Sequence, residues 1–455
     1  MNLDTVPRKT LIALIKSQQK RIEELEKRIA QLERKTPPGL PFHPKPSIKL
    51  KRKKKRRKRG QGYARKLDRP THVVKHAYSN CPNCKGKLYQ GWLKRRRQII
   101  DIPLTPATIT EHQIFEHWCH SCKSKVSPKP DFTSHVLGKH RVSMRLMSYI
   151  AVLREQERKP FREIQSHLKT FFHLTLSLGE IIEICHTVAN KALPVYKDLG
   201  KDILLSPVVH ADETGWREDG VNGYIWNFNT PKIKYLVYKK TRSKQVVKEV
   251  IGKEFEGVLV TDFYTAYNTH LGYHQRCWVH LMRDIKKLTE NNPRNKKLGI
   301  WARKIKRLYK KAKDYPGPDP GKYPNITAQQ RKRWHDAVIF RNKLLAICRP
   351  YINQDVPMKT LCQRIDKYQD ELFLFIANPN VPSDNNSAER SLRHSVIARK
   401  ISGGTRSKKG SKTKFILTSL FGTWKLQNKN PFHECLNLLT SVSTNQPIPS
   451  LVSEV

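Results

Sequence analysis

Two aspartates in the second half of the chain stand where metal-dependent chemistry on phosphates would need them. Asp212 ends the largely apolar run 208–212, and Asp262 ends a second apolar run at 257–262. Hard divalent cations take oxygen ligands, and carboxylates from separate strands can hold two ions roughly 4 Å apart. Either aspartate alone is more typical of an ordinary turn at a strand end. The two together predict a two-metal site.

A third carboxylate is required for such a site, and Glu389 is the candidate. It lies in the motif Ser383-Asp-Asn-Asn-Ser-Ala-Glu389-Arg-Ser-Leu-Arg393, where Ser383 or Asp384 could cap a helix that carries Glu389 in its second turn. Arg390 and Arg393 beside it could meet phosphates or balance the acids. The alternative is a surface helix on which Glu389 pairs with Arg393, four residues on.

The pattern around the acids predicts the elements that must position them. The order is three strands, a helix and a fourth strand: 208–212, 223–229, 234–240, 244–251 and 257–262. Gly220 and Pro231 mark the turns between the first three strands. A basic helical insertion at 281–382 then separates these elements from the helix of Glu389. The fold class expected is therefore α/β.

Four segments resemble the transposases of the insertion-sequence-66 family: His-Ala-Asp212-Glu-Thr, Val-Thr-Asp262-Phe-Tyr-Thr-Ala-Tyr, Cys277-Trp-Val-His280 and Asp384-Asn-Asn-Ser-Ala-Glu389-Arg. The resemblance covers nearly the whole chain. It implies a ribonuclease-H-like catalytic core of Asp-Asp-Glu type, in which Asp212, Asp262 and Glu389 bind two Mg²⁺ (or Mn²⁺) ions and cut and join DNA. It also implies that Cys277 and His280 support the active site, although such a pair could imitate half of a zinc site.

The chemistry that these acids would support is phosphoryl transfer. One ion would lower the pKa of a water that attacks the phosphodiester, and the other would stabilise the departing 3′ oxygen. The freed 3′ hydroxyl would then attack target DNA. A nuclease or resolvase on the same fold would cut without joining. A non-catalytic DNA-binding protein derived from a transposase would do neither.

Two Cys-x2-Cys pairs precede the catalytic part of the chain. Cys81 with Cys84 and Cys119 with Cys122 could together complete a four-thiolate, zinc-ribbon-like site for one structural Zn²⁺. Four thiolates leave no open position for water, so a catalytic zinc is not expected. The long segment between the pairs predicts a hairpin with basic residues for DNA, among them Arg95 and Arg96. A redox pair or a chance spacing is the alternative.

The amino-terminal part predicts contacts with a second chain and with DNA. Apolar residues recur at three-then-four spacing between Leu11 and Leu32, which favours a short coiled coil and a homodimer or higher oligomer. The alternative is an amphipathic helix packed on its own chain. A proline-rich linker leads into a basic block at 49–59, expected to tether DNA unless it is a merely solvated charge run. Its DNA-binding candidates are Lys53, Lys54, Lys55, Arg56 and Arg57.

Two further regions are candidates for DNA contact. Between 142 and 193 the pattern is helical, and a helix starting near Ser177 could be the second of a helix-turn-helix or part of a plain bundle. Behind Glu389, the segment 399–410 is predicted to be a Gly-rich basic loop whose amides and side chains follow phosphates. Its candidates are Arg399, Lys400, Arg406, Lys408 and Lys409.

Composition supports a nucleic-acid partner. The chain has 88 Lys and Arg against 38 Asp and Glu, a formal charge of +50, and double-stranded DNA of the element ends and target fits that sign. A basic ribosome-associated protein is the alternative from charge alone. Nine cysteines and the lack of a long apolar run favour a reducing, cytoplasmic location, in a bacterium with nucleoid association through DNA. The family resemblance suggests accessory proteins of the same element.

The composition shifts divide the chain into six segments. They are a zipper helix (1–36), a linker (37–70), a four-cysteine domain (71–135), a helical DNA-binding region (136–200), the catalytic domain (201–425, with the insertion at 281–382) and a C-terminal segment (426–455). No membrane contact is expected.

Overall fold

A computed structural model of the protein describes residues 16–26, 69–89, 92–100, 105–252, 255–448 and 451. The chain divides into two units, Met1–Asp101 and Ile102–Val455, and each is described by itself. The elements that carry the three acids all belong to the second unit.

The first unit contains one described helix, α1, at residues 16–26. Ile22 and Leu25, two apolar positions of the predicted zipper, are exposed on it. The remainder of that zipper, the proline-rich linker and the basic block that includes Lys53, Lys54, Lys55, Arg56 and Arg57 lie outside the described residues. These predictions stay predictions.

The second unit begins with a short antiparallel hairpin, β1 (His117–Cys119) and β2 (Ser124–Val126). Its centre is a five-stranded mixed sheet in the order β5-β4-β3-β6-β7. The strands are β3 (Val208–Glu218), β4 (Val221–Asn229), β5 (Lys234–Lys239), β6 (Val258–Thr261) and β7 (His274–Arg276). β3, β4 and β5 pair antiparallel, whereas β6 and β7 run parallel to β3 on its other side. The predicted α/β fold class is confirmed.

Helices surround this sheet. They are α2 (Met144–Glu155), α3 (Phe161–Phe172), α4 (Leu178–Lys191), α5 (Leu193–Leu204), α6 (Lys244–Val250), α7 (Trp278–Asn291), α8 (Lys296–Lys313), α9 (Ile326–Cys348), α10 (Lys359–Lys367), α11 (Leu374–Ala377), α12 (Asn386–Ser402), α13 (Lys408–Leu426) and α14 (Pro431–Ser443). Three short 3-10 turns lie at Thr265–Thr269, Arg349–Tyr351 and Gln369–Glu371. Across the described ranges, no helix combines the length and the apolar character that a membrane crossing requires.

Alternation along the strands sends side chains to two different cores. Val209 and Leu259 pack on one side with α2, α4, α13 and α14, while Val258 and Val260 pack on the other with α7 and the insertion helices α8 to α11. Because successive strand residues point to opposite faces, the sheet is covered on both sides. The helices at 136–200 share the first of these cores and have no separate one.

The first predicted strand is longer than the sequence indicated. Asp-Glu-Thr-Gly at 212–215 has the composition of a turn, but β3 continues through it to Glu218. β4 pairs along this whole stretch, from His210 opposite Asn229 to Glu218 opposite Val221, and Trp216 is buried. Asp212 was predicted to end its strand, but it lies within β3.

Candidate active site

The pairing of β3 with β6 brings the two aspartates side by side. Val208 is paired with Val258 and His210 with Val260 in a parallel ladder. Continuing that register by two residues places Asp212 beside Asp262, which directly follows β6. Neighbouring strands are roughly 5 Å apart, so both carboxylates belong to one site.

Helix α12 brings Glu389 to the same place. Its N-cap is Asn385, and not Ser383 or Asp384 as predicted, so Glu389 lies in the first turn and not in the second. The side-chain nitrogen Nδ2 of Asn385 donates to the Ala211 carbonyl at 2.7 Å, and its Oδ1 lies 2.9 Å from His210 Nδ1. The start of the helix is thus fixed to β3 one residue before Asp212.

The three acids influence one another electrostatically. Burial, the neighbouring Glu213 and Asp262, and to a lesser extent Glu389, raise the pKa of Asp212 to about 7. A buried carboxylate beside other carboxylates is costly to ionise unless a cation balances the charge. The site therefore favours a positively charged ligand.

The oxygens of these acids are only partly used by the protein. Asp212 Oδ1 accepts from the Glu213 amide and Asp262 Oδ1 from the Tyr264 amide, both at 2.9 Å. Such contacts orient a carboxylate and leave its second oxygen for a hard cation. In the part of the chain that the structure describes, no three His, Cys, Asp or Glu side chains stand close enough to hold an ion as they are. The donor chemistry fits Mg²⁺, but the acids would have to close around it.

Cys277 and His280 both contact the start of helix α12, which carries Glu389. Cys277 is buried, and its Sγ accepts from the Asn385 amide at 3.1 Å. Burial raises the pKa of its thiol to about 11, which suits a neutral packing residue and not a thiolate ligand. His280 Nε2 and Arg283 Nη2 each lie 3.4 Å from Glu389 Oε1. Glu389 thus faces α7, and the alternative pairing with Arg393 is not formed.

One buried network beside the acids was missed by sequence reasoning. Glu213 accepts from Arg242 Nε at 2.8 Å through one oxygen and from the Tyr267 hydroxyl through the other. Arg242 in turn lies over the Tyr264 ring, 3.9 Å from its centroid. Glu213 directly follows Asp212 and both tyrosines lie in the motif around Asp262, but no local sequence pattern pairs them.

The predicted DNA-binding residues fall into two groups. Exposed side chains belong to Arg95, Arg96, Arg390, Arg393, Lys400, Arg406, Lys408 and Lys409. Arg399 is held within the protein, because it donates to the Gly215 carbonyl. Lys409 pairs with Glu183 at 2.9 Å, but both side chains are more than half exposed, so this surface pair leaves the lysine accessible to phosphates.

The predicted Gly-rich loop at 399–410 is shorter than expected and is docked on the sheet. Arg399 and Lys400 belong to α12, and Lys408 already belongs to α13. The Thr405 amide donates to the Arg217 carbonyl at 2.9 Å, and the Thr405 carbonyl accepts from the Asp219 amide at 2.8 Å. The backbone of this loop therefore pairs with the end of β3. The Thr405 amide is used in that pairing and is not available to DNA.

The two cysteine pairs have similar local backbones in their separate units. The residue after each second cysteine is left-handed, Lys85 with φ 60° and Lys123 with φ 47°. Hydrogen bonds from the backbone of Cys84 and Cys122 lower the pKa of Cys81 and Cys119 respectively. Amide donors to sulfur favour the thiolate, the form that binds metals.

Comparison with known proteins identifies the class as a transposase. The family described as "Transposase IS66 family" matches residues 139–413, which include all three acids together with Cys277 and His280. This is more than half of the chain, and the chain belongs to the IS66 transposase family. The resemblance noted from the sequence is confirmed at the level of the family.

A curated relative matches a shorter part. The chain is similar to the uncharacterized protein y4jO of Sinorhizobium fredii, with 30% identity over 169 residues. The match covers 37% of this chain and 48% of the relative. The chain thus spans about half the length of this relative, whose name assigns no activity.

Proposed function

We propose that the protein cuts and joins DNA at the ends of its own mobile element, using Asp212, Asp262 and Glu389 as an Asp-Asp-Glu site. The adjacency of Asp212 and Asp262 on parallel neighbouring strands, with α12 fixed to β3 by Asn385, carries the proposal. Membership of a transposase family supports the reaction class.

The strand order supports a ribonuclease-H-like core. Three antiparallel strands are followed by a helix and two strands that lie parallel to the first, with β3 in the centre. In such a sheet, residues on the central strand and its parallel neighbour share one edge. The helical insertion between α7 and α12 then returns the chain to that edge, since the Ser383 carbonyl accepts from the Trp278 amide at 3.0 Å.

Asp212, Asp262 and Glu389 would hold two Mg²⁺ or Mn²⁺ ions. Such ions supply activation of the attacking oxygen and stabilisation of the departing 3′ oxygen. The residues of the chain do the positioning: Asn385 holds the start of α12 against β3, and Glu213 keeps the segment after Asp262 in place. Exposed Arg390 and Arg393 on α12 are suited to phosphates of the bound DNA.

Partners of the proposed reaction are double-stranded DNA and a second copy of the chain. The exposed Ile22 and Leu25 on α1 favour pairing of two zipper helices. The structural Zn²⁺ proposed from the Cys-x2-Cys spacing is supported for each cysteine pair separately, because each pair has the thiolate-favouring local backbone described above. Accessory proteins of the same element remain part of the proposal through the family resemblance alone.

The experiment uses the full chain with labelled DNA that carries the ends of the encoding element, in Mg²⁺ or Mn²⁺. Asp212→Asn, Asp262→Asn and Glu389→Gln are each expected to lower strand cleavage and joining by at least about a hundredfold, or about 2.7 kcal/mol of barrier. Asp219→Asn, an exposed turn aspartate on the same strand pair, is the matched control and should act like wild type. Cleavage without joining would indicate a nuclease or resolvase, and equal rates in all variants would refute the acid site.

A further inference from the structure

A cavity of about 850 Å³ lies beside α12, apart from the acid site. Its walls are formed by the β4–β5 turn, α12, α13, the end of α2, the segment 379–384 and two residues of β3, Val208 and His210. Its polar lining includes Asn229, Lys234, Ser387, Arg390, His394 and Lys425. Ser387, Ser391 and His394 are spaced by four and three residues, so they occupy one face of α12. Glu389 points instead to α7, and none of the three acids lines the cavity.

Lys234 is the unusual member of this lining. Its side chain reaches the cavity with only 5% of the residue exposed, and its Nζ donates to the Ser391 carbonyl at 2.7 Å. Among the residues that the structure describes, no carboxylate lies within ion-pair distance of this ammonium. A buried charge without an opposite partner is strongly unfavourable.

Other parts of the fold are adapted to hold Lys234 in this position. Thr423 Oγ1 binds both the amide of Lys234, at 3.0 Å, and its carbonyl, at 3.2 Å. At Gly422, a Cβ atom would lie 2.4 Å from Lys234 Cδ. Glycine inside a helix costs about 1 kcal/mol relative to alanine. Gly422 therefore destabilises α13 but leaves the space that the Lys234 side chain occupies.

The charges around Lys234 leave an excess of positive charge. Lys414 on α13 pairs with Glu155 on α2 at 2.7 Å, and both are buried. Glu155 therefore balances one of the two buried lysines, and it opposes the charge of Lys234 only from beyond ion-pair distance. Arg390 and Lys425 add two exposed cations at the cavity, whose lining contains two carboxylates, Glu155 and Asp384. Desolvation and the nearby Lys414 lower the pKa of Lys234 to about 7, as expected for an unbalanced cluster.

We propose that this cavity binds a phosphate group, whose negative charge balances Lys234 and which Arg390 and Lys425 hold at the opening. Phosphate suits the site because Lys234 keeps donors in addition to the one used by Ser391, and because Ser387 and Asn229 offer further hydrogen bonds. A phosphate of a DNA strand would then be held beside α12, and in that case the inference rests on the proposed function. Free inorganic phosphate is the other source of the same chemistry.

The test compares the wild-type full chain with Lys234→Met and with the control Lys232→Met, an exposed lysine in the same turn. Thermal unfolding is followed with and without inorganic phosphate, at constant ionic strength against chloride. Wild type and Lys232→Met should gain about 1.5 to 2 °C at about ten times the dissociation constant, and Lys234→Met should gain none. Without phosphate, Lys234→Met should melt higher than wild type, because an unbalanced buried charge is removed.

A second arm uses a 12-nucleotide single-stranded oligonucleotide and measures its affinity. If the phosphate belongs to DNA, Lys234→Met should weaken the oligonucleotide about tenfold or more, and Lys232→Met should not. Equal responses of wild type and Lys234→Met to both probes would overturn the inference, as would a lower melting temperature of Lys234→Met with an unchanged phosphate response. Asp212→Asn should keep the phosphate response, so failure of the catalytic proposal is told apart from failure of this one.

Discussion

At the scale of residues, Glu213 connects the strand that carries Asp212 to the segment that follows Asp262. It follows Asp212 on β3, its side chain is only 2% exposed, and it binds Arg242 and Tyr267. Tyr267 belongs to the segment after Asp262, so Glu213 fixes that segment against β3. Both of its oxygens are occupied by these donors, so in the proposed reaction Glu213 would act as a positioning residue and would not add a fourth metal ligand.

Glu213→Gln is expected to lower strand cleavage about tenfold, because the neutral amide holds Arg242 and Tyr267 less firmly and the aspartates lose their relative position. DNA affinity should stay at the wild-type value. The measurement is a double-mutant cycle with Arg242→Met, in which a shared role gives a coupling energy of about 0.5–3 kcal/mol. Strictly additive effects on the cleavage rate would show that Glu213 does not act through Arg242.

Lys234 makes stability depend on pH. Its pKa is lowered from 10.5 to about 7 by burial and by Lys414, with Glu155 opposing and Lys425 adding to the effect. Below pH 7 the lysine is charged in the folded and unfolded states, so the full burial penalty is present. Between pH 7 and 10.5 only the unfolded state keeps the proton, and rising pH relieves the penalty by up to about 1.4 kcal/mol per pH unit.

The resulting prediction concerns a difference between two proteins in phosphate-free buffer. The melting temperature of Lys234→Met should exceed that of wild type most at pH 7 or below, and the gap should narrow towards pH 9.5. Calorimetry at several pH values checks this. His394, which also lines the cavity, has a pKa lowered to about 4 by burial and nearby lysines and stays neutral over this range. A gap that widens with pH would contradict the assignment of a buried, partly charged lysine.

At the scale of elements, the sequence predicted those whose pattern is local. The order of strands, the helix before β6 and the start of α4 near Ser177 follow from apolar periodicity and capping, and Ser177 does accept from the Glu180 amide at 3.1 Å. The full length of β3 could not be predicted, because pairing with β4 overrides the turn-like composition of 212–215. The Glu213 contacts join residues far apart in sequence, so no local pattern contains them.

The turn between α12 and α13 is docked on β3, so its conformation also depends on contacts between residues far apart in sequence. Gly404 has φ 129°, and a Cβ there would lie 2.2 Å from the Arg217 carbonyl oxygen. Gly403 also has a positive φ, 70°, but nothing lies within 4 Å of its Cβ position. Gly404→Ala should therefore destabilise the protein more than Gly403→Ala, which costs about 1 kcal/mol for the left-handed conformation.

Denaturant unfolding of the two alanine variants makes this comparison, with the midpoint and slope fitted together. The larger loss for Gly404→Ala should accompany a reduced cleavage rate, because α12 is joined to β3 through this turn. Equal losses in the two variants would mean that Thr405 can move away from Arg217 without disturbing the sheet.

At the scale of the whole molecule, helix α8 carries part of the charge of +50. Helix α8 has no acidic residue, and its buried face is formed by Leu298, Trp301, Ile305, Leu308 and Ala312. The remainder of its surface exposes nine cations: Lys296, Lys297, Arg303, Lys304, Lys306, Arg307, Lys310, Lys311 and Lys313. No carboxylate in the described ranges pairs with any of them. The Tyr309 hydroxyl of the same helix lies 3.0 Å from the Ser383 hydroxyl, so α8 contacts the segment just before α12.

Four substitutions to glutamine on α8, at Arg303, Lys304, Arg307 and Lys311, should weaken duplex DNA binding and lower its salt dependence. Each phosphate contact contributes about 0.9 to the slope of log affinity against log salt, so the slope should fall by about 3.6 if all four bind phosphates.

The matched control for α8 removes the same net charge from four lysines that already have carboxylate partners: Lys201, Lys239, Lys286 and Lys332. Their ion pairs compete with phosphates, so this variant should change the slope by less than about 1. Filter binding or fluorescence anisotropy between about 50 and 200 mM salt gives both slopes. If the two variants lost slope equally, net charge alone would govern DNA binding and α8 would have no special place in it.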